Sequence, residues 1–290
     1  MIKLSVLIPT YNRADSLDRT LKSLSAQTYD DKFLCLISDN KSTDNTKEVI
    51  EKWKGRETNF NIEYYEQENE LLPIDNWEFL INKSNTQYSK ILFDDDWIKP
   101  SFLSEMINLI EIKKVDCVVS NIDIHVEKQN KNEILKSYFK LKEGIMTSDW
   151  IIDSFIETGP RINVSPSASI IKTQKLKDGF YYSLKNTECS KRVIGNDLAI
   201  NYFQLFNGGS VYYTPDSLAI CGAGDDSITV STDDRILYYC YLNTLIDLIN
   251  NSSTKISNLQ KRQINKKILF FTIRRILNSK YKTFLTNRLN

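Results

Sequence analysis

Short apolar runs that stop on polar residues, each followed by a segment of helical periodicity, recur through the first 126 residues of this 290-residue chain. Leu4-Ser-Val-Leu-Ile8 stops at Pro9, Phe33-Leu-Cys-Leu-Ile-Ser38 at Asp39, and Lys90-Ile-Leu-Phe93 at three successive acids, Asp94, Asp95 and Asp96. Runs this short and apolar suit strands covered on both faces. Ile62–Tyr65 reads as a further strand, and Cys117–Val126 alternates as a fifth would. Between the first two, Leu17, Leu21 and Leu24 recur at helical spacing, with Asn12 or Asp15 as cap. A second helix is expected over about 43–53 with Ser42 as cap. Trp77, Leu80 and Ile81 mark a third, and Pro100 suits the first turn of a fourth. Strands and helices that alternate over short connections predict an α/β fold, a single domain whose mainly parallel central sheet is flanked by helices.

The second half is less regular. Residues 127–143 are polar and read as a loop or hairpin, Thr147–Glu157 as a helix, and Asn163–Ile171 as a stretch containing a strand. Lys172–Cys189 has no clear pattern. Asn196–Phe206 predicts a helix stopped by Gly208-Gly209, and Val211–Tyr213 and Leu218–Ile220 predict two small strands. After Asp233 the chain reads as wholly helical. The expected organisation is one domain over about 1–230 and a helical, basic extension over 231–290.

Charge is distributed unevenly. The chain carries +1 overall, yet its last forty residues hold ten basic and no acidic side chains, which leaves −9 on residues 1–250. The basic segment also carries Ile264, Ile268, Leu269, Phe270 and Phe271. It suits an anionic membrane surface, packing on the acidic body, or a second subunit in a homo-oligomer. No aromatic-interleaved basic groove supports nucleic-acid binding. Five widely spaced cysteines without a CxxC pair argue against a disulfide framework or structural zinc and for a reducing compartment. With no signal-peptide pattern and no apolar run of about 18 residues, the expectation is a cytoplasmic protein, peripheral at the inner face of the membrane if the tail binds there.

Parallel sheets bind ligands beyond the carboxyl ends of their strands. Three polar clusters fall at such ends: Thr10–Arg13, Asp39–Ser42 and Asp94–Asp96. A dinucleotide site is set aside, because the first strand–helix turn reads Pro9-Thr10-Tyr11-Asn12-Arg13 and not GxGxxG. Three adjacent carboxylates repel one another, an arrangement suited to holding a divalent cation and a phosphate. A nucleoside diphosphate, itself anionic, needs such a cation between. Asp94, Asp95 and Asp96 supply one or two ligands to Mg²⁺ or Mn²⁺, and the middle carboxylate is free for a ribose. Asp39 can accept an imide N–H from a base edge, with Thr10, Tyr11 and Arg13 completing the pocket.

Each of these has a plainer reading beside it. The three acids suit a solvated turn that caps the next helix, and Asp39 a capping role. Asn76 and Trp77 suit a cap and a core anchor. Asp197, following Gly195 at the start of a helix, suits either a general base for an acceptor hydroxyl or an acid favoured by the helix dipole. Asp225 and Asp226 suit a closing loop or a solvated one. His125, the sole histidine, lies in an alternating strand and reads as structural, which excludes a His-rich zinc site and a Ser–His–Asp triad.

Four stretches in order within a hundred residues, Ser5–Arg13, Leu17–Leu24 with Gln27, Ser38–Thr46 and Leu92–Pro100, resemble the family 2 glycosyltransferases of GT-A fold. The resemblance extends more loosely to about residue 230. It implies a metal-dependent, inverting, non-processive transfer from a nucleoside diphosphate sugar, a UDP-sugar first among them. The acceptor would be a hydroxyl of a glycan or lipid-linked glycan in cell-surface polysaccharide synthesis. It further implies a nucleotide-binding half over about 1–126 and an acceptor-binding half over 127–230. The nucleotide would lie between the Pro9–Arg13 turn and Asp39. Asp94 and Asp96 would form the DxD-type element with Asp96 on the metal, Asp95 would lie near the ribose, and Asp197 would be the general base. Asn76 is grouped with the nucleotide contacts.

The chain departs from the family pattern in three places. Lys41 stands where a glycine is common, Asn196 where a glutamate precedes the base, and Gly224-Asp225-Asp226-Ser227 where a His–Ser pair is frequent. Asp225 or Asp226 is then the candidate to replace the contact from that loop. The Gln-x-x-Arg-Trp motif of processive synthases is absent. Two other classes remain: a nucleotidyltransferase or sugar-nucleotide pyrophosphorylase, which needs a basic Gly-rich phosphate loop after the first strand, and a non-catalytic carbohydrate-binding protein.

Overall fold

Seven consecutive buried residues make up β1 (Leu4–Thr10), because it lies inside a sheet with helices on both faces. The computed structural model describes residues 2–128, 131–135, 141–157, 162–184, 193–224, 232 and 234–269. The first half runs β1, α1 (Ala14–Ser25), β2 (Phe33–Asp39), α2 (Thr46–Lys54), β3 (Phe60–Glu66), α3 (Pro73–Lys83), β4 (Tyr88–Ile91), β5 (Trp97–Ile98) and α4 (Phe102–Lys113). The second half runs β6 (Cys117–Lys128), β7 (Lys131–Leu135), β8 (Gly144–Ile145), α5 (Ser148–Glu157), β9 (Ser169–Lys172), α6 (Thr173–Ser183), α7 (Asn196–Phe206), β10 (Val211–Ala223) and α8 (Asp234–Asn250).

The strands lie in the order β3-β2-β1-β4-β9-β6-β10-β5, with β7 beside β6 and β8 beside β10. The long ladders, β3–β2, β2–β1 and β6–β10, are parallel, as is β1–β4, whereas β9 runs antiparallel to both its neighbours. This is the single α/β domain with a largely parallel sheet that the alternation predicts. Alternate residues of β1 and β2 divide between two cores. Leu4, Val6 and Ile8 pack with Leu17, Leu21 and Leu24 of α1, Trp53 of α2 and Phe102 and Met106 of α4. Leu7 and Leu36 pack on the other face with α3, α5, α6 and α7. Leu245, Leu248 and Ile249 of α8, and Ile264 beyond it, belong to that second core. The described part of the C-terminal extension is therefore packed on the body.

The structure differs from the sequence reading in several local ways. Arg13 and Asn45 occupy the N-caps of α1 and α2, because Asn12 and Ser42 are engaged across the turn between the first two strand ends. Pro9 does not end β1; it lies beyond Leu7↔Ile91, the last pair of the β1–β4 ladder. The two small strands expected at 211–220 are one strand, β10, whose register against β6 shifts between Thr214 and Ala219, around Pro215. Residues 127–143 do contain a hairpin partner, since β7 pairs back on β6. Among the described residues no helix is long and apolar enough to cross a membrane.

Candidate active site

The carboxyl ends of β2, β1 and β4 lie side by side, and hydrogen bonds between their turns join them into one rim. Thr10 pairs with Asp39 in register, and Asn40 N–H donates to Thr10 O at 2.9 Å. Asn12, with φ +51°, donates its N–H to Ser42 Oγ at 2.8 Å and accepts Thr43 N–H on its side chain at 2.7 Å. From the other side, Arg13 Nη1 pairs with Asp95 Oδ2 at 2.8 Å. Asp39 on β2 and the acids after β4 are two strands apart, about 10 Å at the usual inter-strand spacing. They therefore open on one edge of the sheet.

Asp39 is buried at the strand end. Its Oδ1 accepts the N–H and the hydroxyl of Ser42 at 2.9 and 2.6 Å, and its Oδ2 accepts Tyr64 OH at 3.2 Å. These bonds hold the carboxylate in a fixed orientation. Asn76 lies behind it on α3: its Oδ1 accepts Ser38 Oγ–H at 2.5 Å and its Nδ2 donates to Ser38 O at 3.2 Å. Both ends of that amide bond Ser38, so Asn76 anchors the strand end that carries Asp39. Trp77 packs on Phe93 with ring centroids 4.9 Å apart.

The three acids turn around Thr20 of α1, whose hydroxyl lies 3.0 Å from Asp94 O and 2.7 Å from Asp96 O. Their side chains diverge. Asp95 is half-buried and faces Arg13. Burial pushes the Asp94 pKa up to about 7, with the Asp95 charge adding to it and Arg13, Thr10 and the Tyr11 N–H pulling it back. Asp96 is 1 % exposed and turned inward. Its Oδ1 accepts Gly222 N–H from β10 at 2.9 Å, and its Oδ2 is buried with no hydrogen-bond partner. Burial, then the neighbouring Asp95 charge, raises its pKa as well. A Cβ at Gly222 would collide with Asp95 O, so only glycine lets β10 close over the acid turn.

Among the described residues no three His, Cys, Asp or Glu side chains converge on one point. A Mg²⁺ or Mn²⁺ ion held through one or two carboxylates, with phosphate and water completing the shell, needs no such cluster. Asp94 and the unpartnered Asp96 Oδ2 have the chemistry of that donor set. Both carboxyls are held toward neutrality by burial, and a bound cation would favour their ionised forms.

Three groups at the rim were missed in the sequence. Arg19 lies over the Trp97 ring at 4.4 Å and donates to Asp95 O at 3.4 Å. Lys90 is buried inside β4, donates to Ser167 O and lies 4.0 Å over the Phe102 ring; burial drives its pKa far down while the Asp96 charge opposes that. A lysine beside the apolar run that precedes the acids was the clue to it. Tyr64, the Asp39 partner, had no distinguishing mark.

Asp197 stands in the first turn of α7. Its Oδ1 accepts Leu198 N–H at 2.8 Å and its Oδ2 accepts Tyr241 OH at 2.6 Å. Burial raises its pKa to about 6 against the pull of those two donors. The helix-terminus role is thus present, and it leaves a carboxylate that titrates near neutral pH. Asp225 and Asp226 lie outside the described residues. His125 is buried with its ring edge-on to Trp97 at 5.1 Å.

A largely parallel sheet whose adjacent strand ends carry fixed acids is the framework of a GT-A-like, nucleotide-sugar-using fold. The sequence matches the family model described as glycosyl transferase family 2 over residues 5–178, and the chain belongs to that family. It is 38% identical over 98 residues to abequosyltransferase RfbV of Salmonella typhimurium, covering 32% of this chain and 28% of that protein. It is 30% identical over 108 residues to a Campylobacter jejuni GalNAc(5)-diNAcBac-PP-undecaprenol β-1,3-glucosyltransferase, covering 37% and 34%. In each case the match spans well under half of the curated relative's length. The fold is similar to S. aureus TarS 1–349, solved in complex with UDP-GlcNAc, at a TM-score of 0.64 and 17% identity over 90% of this chain and 69% of that one.

Proposed function

We propose that this chain transfers a sugar from a nucleoside diphosphate sugar, a UDP-sugar first among them, to a hydroxyl of a glycan or lipid-linked glycan, with inversion at the anomeric carbon. One observation carries the reading: in a chain of this family, the β1, β2 and β4 ends are hydrogen-bonded into a single rim bearing Asp39, Asp94, Asp95 and Asp96. The names of the curated relatives, an abequosyltransferase and a glucosyltransferase acting on an undecaprenol-linked glycan, support the substrate class.

Asp39, held by Ser42 and Tyr64, offers a fixed acceptor to a base N–H, with Thr10 and Tyr11 beside it. Arg13 and Asp95 neutralise each other at the rim, and the ribose would lie against that pair. Asp94 and Asp96 would hold Mn²⁺ or Mg²⁺, which supplies the positive charge that stabilises a departing diphosphate. Asp197 takes the proton of the acceptor hydroxyl as its oxygen bonds to the anomeric carbon and the bond to the diphosphate breaks. A base titrating near pH 6 is mostly ionised at neutral pH and still basic enough to receive that proton as it is released in the transition state.

The test is UDP release from a panel of UDP-sugars, with and without Mn²⁺, in water and with added glycan acceptors. Release from at least one donor that depends on Mn²⁺ supports the reading. A protein that neither releases nor binds UDP under any of these conditions would end it.

A further inference from the structure

Asp197 is gripped from two elements, α7 and α8, both of which lie beyond the stretch matched to the family, residues 5–178. Tyr241 of α8 reaches it because α8 approaches the start of α7 closely. Gly195, the α7 N-cap with φ +91°, faces Thr244 and Cys240 O of α8, and a Cβ there would collide with Thr244 Oγ1. Tyr241 lies three residues before Thr244 and so on the same side of α8. Its ring sits 6.5 Å from that of Phe155, centroid to centroid. Around it are Ile194 and Cys240.

The same tyrosine connects the two sides of the site. Cys221 of β10 lies near Tyr241, and burial keeps its thiol neutral where it lies beside Asp96. Among the described residues, the titratable groups facing Asp197 are Tyr241 from α8 and Tyr202 from its own helix. Cys221 of β10 and Cys240 of α8 face Tyr241.

We propose that Tyr241 is a positioning residue for the sugar-transfer reaction: its hydroxyl, delivered by the C-terminal helix, fixes the Asp197 carboxylate and stabilises its ionised form. The proposal rests on the reading of Asp197 as general base. A carboxylate with one oxygen on Leu198 N–H and the other on a phenol cannot rotate without losing a charge-assisted bond. The phenol donates more strongly to the anion than to the neutral acid, so it holds the Asp197 pKa down against burial. Without it the carboxyl would stay protonated at higher pH and lose its set orientation.

The test is the titration of the Asp197 side-chain carboxyl, followed by ¹³C NMR in the full chain and assigned with Asp197→Asn. The wild-type value is expected at about 6. Tyr241→Phe should raise it by about one unit, a tenfold change in proton affinity. Replacing Tyr241 by 3-fluorotyrosine, a stronger donor of nearly the same shape, should lower it, and decides the matter if the Phe variant does not fold. The acid limb of UDP release across the UDP-sugar panel should move in the same directions. An Asp197 pKa unchanged by either replacement overturns the proposal. UDP release that survives Asp197→Ala would instead overturn the base assignment and leave the titration result standing.

Discussion

The two sides of this site are built by different means. On the side proposed for the nucleotide, the acids sit at the ends of adjacent parallel strands, and short turns bind them to one another through Asn12, Ser42, Thr20 and Arg13. Each position follows from sheet register, so the geometry comes with the fold. On the side proposed for the acceptor, a single carboxylate stands at the start of α7 and is oriented by the Leu198 N–H of its own helix and by one hydroxyl from α8, more than forty residues later. The first construction is held by the backbone. The second depends on two helices meeting and is therefore open to variation without disturbing the sheet.

Substitutions can pull the two sides apart. The largest expected effect is Asp197→Ala: transfer should fall by about 10²–10⁴-fold, the usual contribution of a positioned general base, while UDP affinity by calorimetry stays at the wild-type value. Equal losses of both would mean that the sides are not separable. Gly222→Ala should act in the opposite sense. Its methyl group must displace Asp95 O, at a cost of about 1–3 kcal/mol for overpacking, and UDP binding should weaken along with the melting temperature. A variant that binds UDP normally would show that β10 does not shape the acid turn. The smallest effect is pH dependence. The Asp197 pKa is raised to about 6, so the ionised base is lost as pH falls through that value, and transfer should drop about tenfold per pH unit below it. The Tyr241 replacements move this limb in either direction. A flat profile from pH 7 to 5 would remove Asp197 from the chemistry.

The same contrast explains what could be read from the chain alone. The strands β1, β2 and β4 were legible because buried parallel strands are short and apolar, although β4 runs Tyr88–Ile91 and not Lys90–Phe93, since Leu92 and Phe93 already belong to the turn that carries the acids. The family motifs, and with them the fold, fall in that half. The fold's second half resisted for local reasons. Helix α6 was unreadable because Gly179 interrupts its pattern; the structure uses that glycine to let α6 touch the backbone of α7 at Ala199 and Ile200. Strand β10 looked like two because Pro215 and Asp216 fall where its register shifts. Tyr241 carried no mark at all, since one of three tyrosines close together in a helix looks like the other two until the facing acid is known. Asn76, grouped in the sequence with the nucleotide contacts and equally suited to a structural role, bonds Ser38 through both its amide oxygen and its amide nitrogen.

The central claim is that acids at three neighbouring strand ends act as one site for a nucleoside diphosphate and a divalent ion. Calorimetry of UDP binding with and without Mn²⁺, in the wild type, Asp39→Ala and Asp96→Ala, tests it most directly. The account predicts Mn²⁺-dependent binding in the wild type, weaker but still Mn²⁺-dependent binding in Asp39→Ala, and loss of the Mn²⁺-dependent part in Asp96→Ala. UDP binding of equal strength in all three proteins, indifferent to Mn²⁺, would contradict it.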